Sequence, residues 1–196
     1  EAVFTRVPFE RKNDGLTGMD MIRLALERSR TAREALEHIC YYVEAYGQDA
    51  CGGYLNRRFY YHNSFIIADP GDSYVLETAG RHWVYRKLKG FYAISNRLTI
   101  GGEWDGISTH AIDYARKRQW AKRGTDFDFA TAYTEPVMSW LSKAKERRRT
   151  CETTASRLSI SGRITVADAM GMLRAHRNGE GYLPQKGGMD SVCLHA

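Results

Sequence analysis

The chain has 196 residues, 43% of them hydrophobic, a size that suits one domain with one substantial core. Its formal net charge of +6 comes from 29 basic residues interleaved with 23 acidic ones, the pattern of solvated helix faces. The densest basic run, "KAKERRRT" at 143–150, includes Glu146 and has no aromatic residue to stack on bases, so neither a nucleic-acid partner nor, without a long apolar run or leader pattern, a membrane is expected.

The opening "EAVFTRVPF" is strand-like and begins at Glu1 without an initiator Met, which predicts that the chain starts inside a longer polypeptide. Thr17 caps a first helix through Asp20, with Met21, Ile22, Ala25 and Leu26 as its apolar residues. Thr31 and Glu34 form a capping-box pattern for a second, whose face is Ala32, Ala35, Leu36, Ile39, Cys40 and Val43 and whose stop is Gly47. His38 and Cys40 are two apart on that helix and face different ways, so Cys40 is read as core rather than as a metal ligand. The Gly-rich "GQDACGGYLNRR" lacks the Lys and spacing of a phosphate loop and reads as a loop bordering a site.

From Phe59 the period changes to two, with Phe59, Tyr61, Phe65 and Ile67 on one side of a strand and His62, Ser64 and Ile66 on the other. Asp69-Pro70-Gly71-Asp72 turns the chain into "SYVLETAG"; "HWVYRKL", a Lys89-Gly90 turn and "FYAISN" then complete a four-strand antiparallel meander. Helices follow around Ser108–Ala121 and Glu135–Arg149, and a third is capped by Thr165. The end, "DSVCLHA", reads as the start of a strand. The order predicts an α+β domain spanning 1–196, with helices packed on sheet.

Several residues invite chemistry. The four cysteines, Cys40, Cys51, Cys151 and Cys193, form no CxxC pair, as expected of reduced thiols in a cytoplasmic protein. No HExxH or HxxxH pair occurs, and Cys193-x-His195 lacks further ligands, so no metal and no cofactor are expected. His62 reads either as a pocket wall or as a satisfied buried histidine. Glu77 inside "YVLET" is costly to bury unpaired; Arg81 or an arginine of 147–149 is the expected partner, in a structural ion pair or as a catalytic acid. Asn96 either bonds the next turn or points its amide at a developing oxyanion.

The ordered series "EAVFTR", "GMDMIRLALERSRTAREALEHI", "YHNSFIIADPGDSYVLETAGRHW", "YAISNRLTI" and "SVCLHA" resembles the secernin and bacterial dipeptidase family, relatives of penicillin V acylase and choloylglycine hydrolase. The resemblance implies an N-terminal nucleophile hydrolase, a four-layer αββα sandwich of antiparallel sheets, here in part. Its cysteine nucleophile, the first residue of the mature protein, uses its own α-amine as base to hydrolyse linear amides such as dipeptides. By the same resemblance Asn96 donates to the oxyanion and Arg149 steadies the site, with His62 and Glu77 as support or substrate-pocket wall. The nucleophile segment and the closing strands would then lie outside these residues, because no internal cysteine carries a free α-amine. The expected partners are a small peptide or amide, the missing segment of the same protein and, compatibly, further copies of the chain. The alternative is a truncated or divergent homologue that serves as a scaffold without catalysis.

Overall fold

The computed structural model describes residues 1–160, 162–176 and 189–193. Five strands form one open antiparallel sheet in sequence order: β1 (Ala2–Val3), β2 (His62–Ala68), β3 (Ser73–Ala79), β4 (His82–Lys87) and β5 (Gly106–Ile107). The helices among the described residues are α1 (Gly18–Arg28), α2 (Ala32–Ala45), α3 (Ala111–Lys117), α4 (Phe129–Tyr133), α5 (Pro136–Leu141), α6 (Ala144–Ile160) and α7 (Val166–Leu173). The fold is therefore mixed α and β around an antiparallel sheet. No helix of the described residues is long and apolar enough to cross a membrane.

Local chemistry sets the helix ends. Thr17 and Asp20 close a full capping box on α1. At α2, Thr31 accepts from the Glu34 amide, but the Glu34 carboxylate turns back to the Arg30 N–H, so only half of the box forms. Gly47, at φ 73°, stops α2 by donating to the Tyr42 and Val43 carbonyls. Thr165 and Asp168 cap α7 with a second full box.

The two faces of the sheet bury separate cores. Phe65, Ile67, Tyr74 and Leu76 pack on Met21 and Ala25 of α1 and on Leu36, Ile39, Cys40 and Val43 of α2. On the opposite face Val75, Ala79 and Val84 meet Leu98, Ile100, Phe127, Ala111 and Ala115 of α3, and Phe129 and Tyr133 of α4. Gly18 lets α1 approach the sheet, since a Cβ there would lie 2.0 Å from Asn63 Oδ1. Of the apolar residues of α1, Met21 and Ala25 are buried, whereas Ile22 and Leu26 are exposed and line a groove along β2.

Four expected elements differ. The strand beginning at Phe59 starts at His62, because the Phe59 carbonyl is taken by the Gly52 N–H in the preceding loop. The fourth meander strand over 91–96 does not form: β5 takes the place beside β4, pairing Ile107 with Val84 and Gly106 with Tyr85. The helix expected over Glu135–Arg149 is broken between α5 and α6, where Lys143 adopts φ 50° and Ser142 ends α5. Residues 189–193 are turns and bends rather than strand, with the Val192 and Cys193 amides on the Ala175 carbonyl; 194–196 lie outside the described residues.

Candidate active site

The segment that was expected to be the last meander strand crosses the sheet face, and a buried carboxylate holds it there. Glu77, in the centre of β3, is fully buried and directly opposite Ser64 of β2. Its two oxygens accept from the Thr99 N–H (2.8 and 2.7 Å), the Thr99 hydroxyl (2.6 Å) and the Ile100 N–H (2.9 Å). The Tyr92 and Thr99 hydroxyls are 2.7 Å apart, which extends the chain of bonds. The expected ion pair is absent: Arg81 donates to the Glu44 and Ala45 carbonyls at the end of α2, and backbone donors take its place on Glu77. Burial raises the Glu77 pKa above the ordinary carboxyl value, while these donors act in the opposite direction.

Three residues before Thr99, Asn96 sits half-buried in a tight loop closed by the Ser95–Arg97 bridge. Its Nδ2 donates to the Ala2 carbonyl (2.8 Å) and to Glu1 Oε2 (3.1 Å). Its Oδ1 accepts from Arg147 Nη2 at 2.5 Å, which fixes the amide with its nitrogen toward β1. The same nitrogen of Arg147 reaches Ser95 Oγ at 3.2 Å, and Nη1 donates to the carbonyls of Ser142 and Met189. The break before α6 therefore has a structural role: it presents the Ser142 carbonyl to the guanidinium that orients Asn96.

Arg147 is 7% exposed, and its guanidinium makes no ion pair among the described residues. Burial lowers its pKa, yet an arginine keeps its proton at any physiological pH. A buried positive charge thus stands behind the Asn96 amide without a carboxylate bound to it. An oxygen that gains negative charge near Asn96 Nδ2 would be stabilised by both groups. The Glu1 carboxylate oxygen on Nδ2 occupies that kind of position.

The other sequence candidates lie apart. Arg149, two residues on from Arg147, is exposed and lines a separate cleft between the 95–101 loop and α6. His62, 1% exposed, bonds the Thr5 hydroxyl through Nδ1 at 2.9 Å and stacks on Phe9 with centroids 4.2 Å apart. Burial pushes its pKa down to about 3, so the ring is neutral. It lines a cavity of about 700 Å³ together with Gln48 and Asp49 of the Gly-rich loop, Arg81, His82 and His110. His82 is held down to about 4 by burial and by His110.

No group of three His, Cys, Asp or Glu side chains is placed to hold a metal among the described residues. Cys40 is core, its thiol pKa raised by burial, and His195 lies outside the described residues. Sequence reasoning missed Arg147 and Ser95. For Arg147 the signal was available: on a helix starting at Ala144, Ala144, Arg147 and Ala155 share the buried side, whereas Arg149 points away. Compared with models of known protein families, the chain matches none. The geometry of the candidate site is that of a half-buried Asn96 amide held by the buried Arg147 on one short loop.

Proposed function

We propose that this chain forms part of an N-terminal nucleophile amidohydrolase that cleaves linear amide bonds of small peptides or acyl amides. The single observation that carries the reading is the buried guanidinium of Arg147, which has no ion-pair contact among the described residues, fixing the Asn96 amide. In this reading the described sheet is one of the two in a four-layer αββα sandwich, and the nucleophile is a cysteine outside these 196 residues, at the start of the mature parent protein.

The sulfur adds to the amide carbonyl carbon, and its proton passes to the α-amino group of the same cysteine. The carbonyl electron pair moves onto oxygen, where Asn96 Nδ2 donates to it and Arg147 supplies positive potential. Collapse breaks the C–N bond, the α-ammonium returns the proton to the departing amine, and water then hydrolyses the thioester. Arg147 is in this scheme a positioning residue, Glu77 holds the loop, and Arg149 is outside the reacting atoms.

In the full parent protein, Asn96→Ala should lower kcat by about 10²–10³-fold with little change in KM. A kcat within threefold of the parent, in a variant with an unchanged unfolding midpoint, would refute the assignment. One observation favours the scaffold alternative: both Nδ2 hydrogens of Asn96 are already engaged, one of them by Glu1. If the native product has no cysteine-led segment by intact mass and N-terminal sequencing, that alternative replaces the hydrolase.

A further inference from the structure

A cleft of about 800 Å³ lies between the 95–101 loop, α4, α5 and α6, and it shares Ser95 with the Asn96 site. Half of its charged wall residues are already engaged. Arg148 pairs with Glu152 at 2.7 Å and lies over the Tyr92 ring, Asp128 caps the Thr131 N–H, and Arg6 donates to the Thr134 carbonyl. Arg97, Lys145 and Arg149 have no side-chain hydrogen bond or ion pair among the described residues, and Glu146 is the one wall carboxylate similarly free there. Lys145 and Arg149 are four apart on α6 and so share a face. Three free cations against one free carboxylate leave the cleft positive.

Two further features are those of a pocket rather than of a solvated patch. The Thr134 hydroxyl on its wall is buried without a hydrogen-bond partner. Trp140, 67% exposed, adds an aromatic ring to the wall, with the Lys143 ammonium over one face of it at 4.2 Å from the centroid. The free cations and the indole together match a small anion attached to an apolar body. An excess of two positive charges suits a small anion, and the planar guanidinium forks of Arg97 and Arg149 suit a carboxylate.

We propose that this cleft binds the carboxylate of a small molecule with an apolar or aromatic body, anchored by Arg149, Lys145 and Arg97. The further step, that the cleft selects carboxylate-bearing amides for hydrolysis at Asn96, rests on the proposed amidohydrolase; the binding itself does not.

The test titrates the protein with N-acetyl-phenylalanine, with its neutral carboxamide and with phenyl phosphate, following amide shifts by NMR at low and high salt. The expected result is shifts at residues 95–101 and 145–149 with the acid, and binding at least fivefold weaker for the carboxamide. Affinity for the acid should fall about fivefold in Arg149→Ala and in Arg97→Ala, and with added salt. Equal binding of acid and carboxamide, shifts that map to another surface, or no loss in either variant overturns the proposal. Tighter binding of the phosphate dianion overturns the assignment to carboxylates. Because no turnover is measured, a positive result stands even if Asn96→Ala leaves catalysis in the parent unchanged, and a negative one leaves the hydrolase to its own test.

Discussion

Removing the Glu77 carboxylate should release the loop that carries Asn96, and the choice of replacement decides whether the loss is one of charge or of acceptors. In Glu77→Ala the buried N–H groups of Thr99 and Ile100 lose their acceptor, while the Thr99 hydroxyl can turn toward Tyr92. Two orphaned donors at roughly 1–2 kcal/mol each cost about 2–4 kcal/mol together, and no longer burying a carboxylate offsets part of this, for a net cost of about 1–3 kcal/mol. Glu77→Gln is predicted to be far milder. Oε2 already accepts from both N–H groups, so the amide oxygen can keep that position while the new NH2 donates to Thr99 Oγ1. Its cost should stay within about 1 kcal/mol.

The same pair of variants tests the titration. Because burial raises the folded-state pKa of Glu77, the folded chain holds a proton over a pH range where the unfolded chain has lost it. Stability from the protonated group is fully present below the ordinary carboxyl value of about 4.3 and is lost as pH rises through the raised one. The Glu77→Gln variant lacks that component, so its stability relative to the parent should improve across that window. Urea unfolding between pH 4 and 8 measures both effects, and hydrogen exchange at the Thr99 and Ile100 amides locates them. An alanine cost below about 0.5 kcal/mol, or equal costs for alanine and glutamine, would refute the anchoring role.

Histidine NMR should find His62 neutral down to about pH 3; since its folded pKa lies below the unfolded one, its contribution is complete above about pH 6.5 and lost on acidification toward 3. A His62 titration near 6.5 in the folded protein would contradict its burial against Thr5 and Phe9. Arg147→Ala should lower the unfolding free energy by about 2–4 kcal/mol, because Ser142, Met189 and Asn96 each lose a donor, whereas Arg149→Ala should stay within about 0.5 kcal/mol. Equal effects from the two arginines would remove the basis for separating their roles.

Much of the architecture was legible because short-range rules decide it. The caps at Thr17, Thr31 and Thr165, the stop at Gly47 and the Asp69–Asp72 turn are each fixed by a few neighbouring residues. The segment 91–96 was not legible as a crossing loop, because its alternating apolar pattern fits a strand. What decides its path is Glu77, some twenty residues earlier, which captures the Thr99 and Ile100 amides. Asn96 and Glu77 could be picked out as polar groups in apolar company. Their partners could not: Ala2 and Arg147 meet Asn96 across 94 and 51 residues of chain. Arg147 bonds Asn96 and Arg149 does not, since two positions along one helix turn a side chain by about 200°.

The arrangement of the two buried charges explains how this loop is held on the face of the sheet. Glu77 and Arg147 do not pair; each is satisfied by neutral groups of the segment between them. The anion draws the N–H groups of Thr99 and Ile100, and the cation draws the oxygens of Ser95 and Asn96. Opposite charges thus grip the two ends of one short loop through its own dipoles. An ion pair would have cancelled both fields and left the loop without an anchor at either end. Kept apart, the carboxylate is neutralised locally by three donors, while the guanidinium, bound only to neutral acceptors, leaves its positive potential beside the Asn96 amide. That asymmetry predicts that restoring a carboxylate next to Arg147, as in Ser95→Asp, should stabilise the fold and at the same time weaken any binding of an anionic oxygen at Asn96.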